Sequence, residues 1–295
     1  MIPFRQIVFN NLIQALNHRT LDNGFYMEVG LGQLDFDGND LSLLQRKTGD
    51  PTFDDGQVYQ SRFPEWVYES GVMPPSGMDV PTVASGVYID STFYPRDDAT
   101  YGHLIDFRNG RIVFDDATAV ASDSTVQAAF ARKRVFIDRF GKRVQPMLNA
   151  LSGYNPEFSQ PTSLPFGYFL PAIIIEMDRK KMKPMQLGGG KKVFETINFH
   201  IMGDEDGDKD LLVDLISFLD ERTLLFVDTR IAPFALDEQG DVTDDYTPYP
   251  SLQVDPEFFW HKCIFRDLQT REIATDNGLE LAVVTLGVEL WMSEA

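Results

Sequence analysis

Several stretches carry residues whose types and spacing could do chemistry, and each departs from the pattern it suggests. Gly188-Gly189-Gly190-Lys191 sets glycines before a lysine, the order in which backbone N–H groups cradle phosphate. The nucleotide motif also needs a glycine five positions before the last one and Ser or Thr after the lysine. Met185 and Lys192 stand there instead, so a hairpin tip is expected. Asp204-Glu205-Asp206-Gly207-Asp208 and Asp35-Phe36-Asp37-Gly38-Asn39 resemble calcium loops, in which glycine is sixth and a bidentate Glu twelfth. Counting from Asp204 puts Gly207 fourth and Leu215 twelfth; counting from Asp35 puts Arg46 twelfth. Both are expected to be turns.

The remaining chemistry is thin. His18, His103, His200 and His261 lack the close spacing of a zinc helix, and one cysteine cannot build a thiolate site. His261-Lys262-Cys263 suggests a nucleophile pair, but residues two apart on a strand share a face without touching, and a buried structural Cys263 is the expectation. No Gly-x-Ser-x-Gly elbow occurs. With 45 Asp and Glu, neighbouring carboxylates arise by chance and do not mark a glycosidase. No catalytic residue, metal ligand or cofactor is therefore expected. Two basic runs remain, Arg132-Lys133-Arg134 and Arg179-Lys180-Lys181-Met182-Lys183. They are either solvated strand ends and hairpin tips or surfaces facing an acidic patch on a neighbouring subunit, where charge sets register and partner choice.

Composition sets the frame for these groups. The chain has 295 residues, 43% of them hydrophobic, with 23 Phe, enough to bury a substantial core in one large domain or two smaller ones. Its formal charge of −19 opposes nonspecific nucleic-acid binding, which depends on Lys and Arg neutralising phosphates, and opposes docking on anionic membranes. The acidity either keeps a soluble protein apart from its neighbours or forms a channel wall past which DNA slides. One cysteine excludes an internal disulfide and suits a reducing compartment. No apolar run approaches a membrane span, and the N-terminus begins with helical text where a signal peptide would have a different layout.

The elements follow from periodicity. Pro3 suits a first helical turn, and Phe4, Val8, Leu12, Ala15 and Leu16 recur at helical spacing, predicting a helix over 3–18 that ends at Asn17. Residues 21–84 are dense in turn chemistry and are expected to be loop-rich, with strand-like Gly24–Val29 and Glu65–Glu69. Residues 85–138 read as a β-module. Val87–Tyr94 forms one run, and Arg108-Asn109-Gly110 joins His103–Phe107 to Arg111–Phe114 as a hairpin, with Val126–Phe130 and Arg134–Ile137 closing the module. A proline-containing connector spans 139–170. From Pro171 the pattern is β-β-α-β-β: Pro171–Met177, Val193–Met202, a helix within Asp204–Arg222, Lys262–Leu268 and Leu279–Met292. Asp206 or Asp208 is placed to cap that helix, whose apolar face is Leu211, Leu212, Leu215, Ile216 and Leu219. An acidic, proline-containing loop covers 240–256. Ala282, Val284, Leu286, Val288, Leu290 and Met292 alternate on one strand face.

Taken together, the N-terminal helix, Leu170–Ile175, the hairpin to Ile197–Ile201, Asp208–Ile216 and the closing strand Leu279–Trp291 resemble the neck and tail-terminator proteins of tailed bacteriophages. Tyr101–Phe114 resembles passages in phage virion structural proteins. The resemblance covers somewhat under half of the chain and rests on element order. It implies an α+β fold: an α/β sandwich core over 1–20 plus 139–295, carrying the loop-rich 21–84 and the β-module 85–138. It also implies a non-enzymatic protein of the virion neck or tail, assembled in the host cytoplasm. Such a protein forms a homo-oligomeric ring of six that caps the tail tube, meets tube, sheath or connector proteins, and passes double-stranded DNA without specific binding or any membrane. On that reading the subunit-contact or lumen candidates are Arg179, Lys180, Lys181, Lys183, Lys191 and Lys192 in the basic hairpin. Asp237, Glu238, Asp241, Asp244 and Asp245 are their counterparts in the acidic segment 236–257. The alternatives are another virion component (baseplate, collar or head-completion protein) and a β-rich hydrolase suggested by 35–40 and 85–115.

Overall fold

The stripe from Phe4 to Leu16 becomes helix α1, Phe4–Asp22, in the computed structural model, which describes residues 4–140, 170–184, 191–203, 206–273 and 280–292. Ile7, Val8, Leu12 and Leu16 are buried along it. The helix runs past the expected stop at Asn17 because Thr20 and Leu21 are also buried. It ends where Gly24 takes a φ of +83° and returns its N–H to the Leu21 carbonyl at 2.9 Å. The fold is mixed α+β and mostly strand, in two compact units.

One unit comprises Leu21–Arg134 and Pro233–Pro248. It holds nine short strands: β1 (Tyr26–Val29), β2 (Gln45–Arg46), β3 (Val58–Gln60), β4 (Gly86–Ile89), β5 (Thr92–Pro95), β6 (His103–Asp106), β7 (Arg111–Phe114), β8 (Val126–Gln127) and β9 (Phe130–Lys133). They pair as β2-β3-β7-β6, β5-β4-β8 and β1-β9. Aromatic packing unites them: Trp66, fully buried, stacks on Phe130 at 4.1 Å, and Tyr59 meets Phe114 edge-on at 5.5 Å. The expected hairpin forms as β6–β7 with His103 opposite Phe114 and Asp106 opposite Arg111. Only Gly110 in its loop has positive φ, because the Asp106 carboxylate accepts from the Asn109 backbone and side chain and shapes the turn. Val87–Tyr94 is not one run. Asp90 and Ser91 both take positive φ and fold it into the β4–β5 hairpin, a turn made with the less usual Asp-Ser pair.

The other unit comprises Met1–Thr20, Val135–Ala232 and Tyr249–Ala295. Its six strands are β10 (Phe136–Arg139), β11 (Ala172–Pro184), β12 (Lys191–Gly203), β13 (Thr223–Val227), β14 (Phe259–Ile273) and β15 (Glu280–Met292). They lie in the order β10-β11-β12-β15-β14-β13; β10 and β11 are parallel and every other pair antiparallel. Helices α2 (Asp206–Ser217) and α3 (Tyr249–Val254) also belong to the described part of this unit, with α2 packed on β12 and β15. The period-two face of β15 is buried from Ala282 to Leu290 as the pattern requires, against Val193, Ile197, Phe199 and Ile201 of β12. Asn11 and Arg5 tie α1 to this sheet, through the Val227 backbone and Glu195.

Four expectations change. Arg134–Ile137 does not close the β-module; Phe136–Arg139 crosses into the other unit and pairs with Ala172–Ile175. Residues 21–84 and 85–134 form one unit, since β2, β3 and β7 share a sheet. Segment 233–248 leaves the sheet unit and joins this one. Leu211 is 56% exposed, so the α2 core face narrows to Leu212, Leu215 and Ile216, with Leu219 just beyond the helix. Strand β13 and helix α3 carried too short a pattern to be anticipated. Asp204 and Glu205 lie outside the described residues, and Asp208 falls inside the first turn of α2.

Candidate functional site

The basic hairpin is the β11–β12 pair, whose Gly188–Gly190 tip lies outside the described residues. Its register sets Lys181 opposite Phe194, Lys183 opposite Lys192, and Pro184 opposite Lys191; Lys180 stands across from Glu195. A bulge between Met177 and Lys180 interrupts the ladder beside Arg179. Period two brings Lys181, Lys183, Lys192 and Phe194 to the sheet face opposite the buried Val193 and Ile197. Lys181 and Lys183 are exposed there, and the Lys183 ammonium lies 5.6 Å from the centre of the Phe194 ring.

Two neighbouring rungs of the ladder carry the same face across the sheet. Lys181, Phe194 and Glu289 form one; Thr196, Gly287 and Arg266 form the next. A basin of about 390 Å³ lies over these central strands, where a side chain at Gly287 would meet the Arg266 carbonyl at 3.2 Å and the Asp267 carboxylate at 3.4 Å. Its charged groups include Lys181, Lys183, Arg266, Asp267 and Glu289. Glu289 accepts from Lys192 at 2.8 Å and has the Arg266 Nε at 3.9 Å. Another bulge of the sheet, between Arg266 and Gln269, adjoins the basin, with Asp267 at φ +60°. Glu195, Asp267 and Glu289 line the basin as well as its cations, and the exposed Lys181 and Lys183 beside Phe194 are the groups placed to hold an anionic partner. Arg266, Thr196, Gly287 and Glu289 escaped the sequence reading; the only signal was a glycine interrupting an otherwise strict strand alternation.

Segment 233–248, which carries the acidic candidates, lies in the other unit, while 249–256 stays with the sheet as α3 and its end. Leu236 bridges to Val242, and Asp237 accepts from the backbone of Gln239 and Asp241. Glu238, Asp244 and Asp245 are exposed as expected of contact residues. Asp241 is not one of them. It is buried, receives the Arg96 guanidinium at 2.6 Å, and its pKa is pushed up by burial against the opposing pull of Arg96.

No protein-family model matches this chain, and none of the curated proteins compared with it does.

The other basic run also changes meaning. Lys133 is buried and paired with Glu69 beneath the Tyr68 ring, and the Arg132 guanidinium covers Phe63 at 4.4 Å. Those charges serve the interior of their unit. Cys263 is fully buried on β14, and burial raises its thiol pKa. The loop Asp35–Asn39 is a turn: the Asn39 backbone N–H, then Arg62, hold the Asp35 carboxyl down at about 2. Among the described residues no three His, Cys, Asp or Glu converge to hold a metal, and no helix is long and apolar enough to cross a membrane.

Proposed function

We propose that the protein is a non-enzymatic virion structural protein that builds a ring at the head–tail junction of a tailed phage, as a tail terminator. Within this reading the six-stranded sheet and its helices form an α/β sandwich. Six copies close the ring, one face meets the tail tube and the other the connector.

The observation that supports this most is a pair of open strand edges. Strand β10 covers β11 only from Ala172 to Ile175, so among the described residues the outer edge of 176–184 has no strand partner. Strand β13 covers β14 as far as Ile264, and the Arg222 carbonyl and Glu221 N–H take the Phe265 backbone, so among the described residues the outer edge of 266–273 has no strand partner. The two edges lie on opposite sides of the sheet. A contact between the β11 edge of one copy and the β14 edge of the next is therefore heterologous, and such contacts close into rings when the rotation allows. The strands would meet antiparallel, as every neighbour from β11 to β13 already does. Bulges and charged side chains on both edges are the usual devices against indiscriminate pairing, so only a partner with matching irregularity fits. The net charge of −19 suits a lumen that DNA crosses without sticking.

The test is native mass spectrometry of the chain together with a symmetric reconstruction of particles that contain it. A closed ring at the neck is expected. A chain that stays monomeric both in solution and in particles ends the proposal, and density at the baseplate or collar transfers it to those positions.

A further inference from the structure

We infer that the basin on the open sheet face is a carboxylate socket, which takes the acidic loop of a second copy of the chain through Asp244 and Asp245. This rests on the assembly reading above and names the contact that reading lacks.

Charge separates along the chain in a way that favours a second copy as the occupant. Residues 21–134 and 233–248 hold 23 acidic and 9 basic residues, whereas 179–192 hold six Lys and Arg and no acid. Segment 233–248 has five acids and no base. With Asp241 committed to Arg96, the exposed carboxylates of Glu238, Asp244 and Asp245 remain on one short loop. The loop is held in shape by the Leu236–Val242 bridge and by the Gly240 carbonyl, which accepts from the Phe107 N–H at 3.0 Å. A preorganised loop loses little entropy on docking.

The socket matches it in chemistry and size. Lys181 and Lys183 point from one strand and Arg266 from another, with the Thr196 hydroxyl between them. Glu289 takes Lys192 at 2.8 Å and Arg266 at 3.9 Å, and Asp267 also lines the basin, so Lys181 and Lys183 are the cations that meet an incoming acid. A volume of about 390 Å³ admits two aspartate side chains and their backbone. Opposed charges at such a contact choose partner and register.

The experiment is a charge-reversal exchange on the full chain, read by analytical ultracentrifugation and with folding checked by circular dichroism. K181E/K183E alone and D244K/D245K alone are each expected to weaken self-association about tenfold or more, because like charges then face each other. An equimolar mixture of the two is expected to recover it, since every junction again pairs Lys with an acid. If the wild type assembles and neither variant differs from it, or the mixture recovers nothing, the socket is wrong while the ring stands. A wild type that stays monomeric in solution overturns the socket, and the ring too if particles also hold it as a monomer. Should reversal unfold the chain, K181Q/K183Q and D244N/D245N carry the same test: weakened association supports the socket and unchanged association overturns it.

Discussion

Gly240 lies directly against the Asp106 carboxylate, with no room between them for a side chain. Gly240 also holds a φ of +90°, and its carbonyl accepts from the Phe107 N–H. Asp106 is fully buried and receives Arg111 at 2.7 Å, so it cannot retreat. Gly240→Ala therefore meets both backbone strain and overlap and is expected to cost about 2–4 kcal/mol. Gly38→Ala, at φ +82° but with open space around it, is expected to cost only about 1 kcal/mol. Urea unfolding of the two variants checks the difference, and equal losses would remove Asp106 from the explanation.

Asn11 fastens α1 to the end of β13. Its Nδ2 donates to the Ile7 and Val227 carbonyls, both at 2.8 Å, and its Oδ1 accepts from the Val227 N–H at 2.7 Å and the Tyr249 hydroxyl at 3.0 Å. Asn11→Leu strands several buried polar groups at once and is expected to lose about 2–4 kcal/mol. Hydrogen exchange at the Val227 amide should quicken by more than at β12 amides such as Ile197.

His103 makes one unit sensitive to acid. Its Nδ1 donates to the Tyr101 carbonyl at 2.7 Å, and Nε2 is buried without a hydrogen-bond partner among the described residues. Desolvation lowers its pKa despite that hydrogen bond. The unfolded chain thus takes up a proton near the ordinary value of about 6.5 while the folded chain resists. Stability is complete above that value and falls as pH drops toward the depressed folded pKa. The melting temperature between pH 8 and 5 is expected to fall more steeply for the wild type than for His103→Gln; parallel slopes would contradict this.

Lys133 and Glu69 form a buried ion pair under Tyr68. Burial alone would depress the lysine, yet Glu69, Tyr68 and Glu65 overcome it and raise its pKa. Lys133→Met leaves Glu69 uncompensated and is expected to cost about 3–5 kcal/mol, whereas Lys133→Met with Glu69→Leu recovers most of that loss. A double-mutant cycle in guanidinium measures the coupling.

The Cys263 thiol is expected to resist Ellman's reagent in the folded protein and to react once urea exposes it, because it is both fully buried and held protonated. Reaction at the same rate in buffer and in denaturant would show β14 to be open.

Long periodic elements were legible before any coordinates. The α1 stripe, the alternation in β15 and the Asn109-Gly110 hairpin each record burial on one face, and burial is a property of local spacing. Strand β13, helix α3 and the β4–β5 turn were not legible, since a few residues cannot carry a period and Asp90-Ser91 is weak turn chemistry. The basic hairpin was visible as composition. Its face was not, because the Arg179 bulge resets which side each lysine occupies.

By itself, then, the sequence determined the mixed α+β class, the main strands and the uneven distribution of charge. Tertiary structure alone decided that Lys133 and Asp241 are interior while Lys181 and Asp244 are exposed, that 233–248 belongs with 21–134, and that Lys181, Lys183 and Arg266 line one basin. The physical reason is that a charge's role depends on which distant groups reach it. Pairing across the sheet and loop docking bring together residues whose separation in the chain carries no local signal.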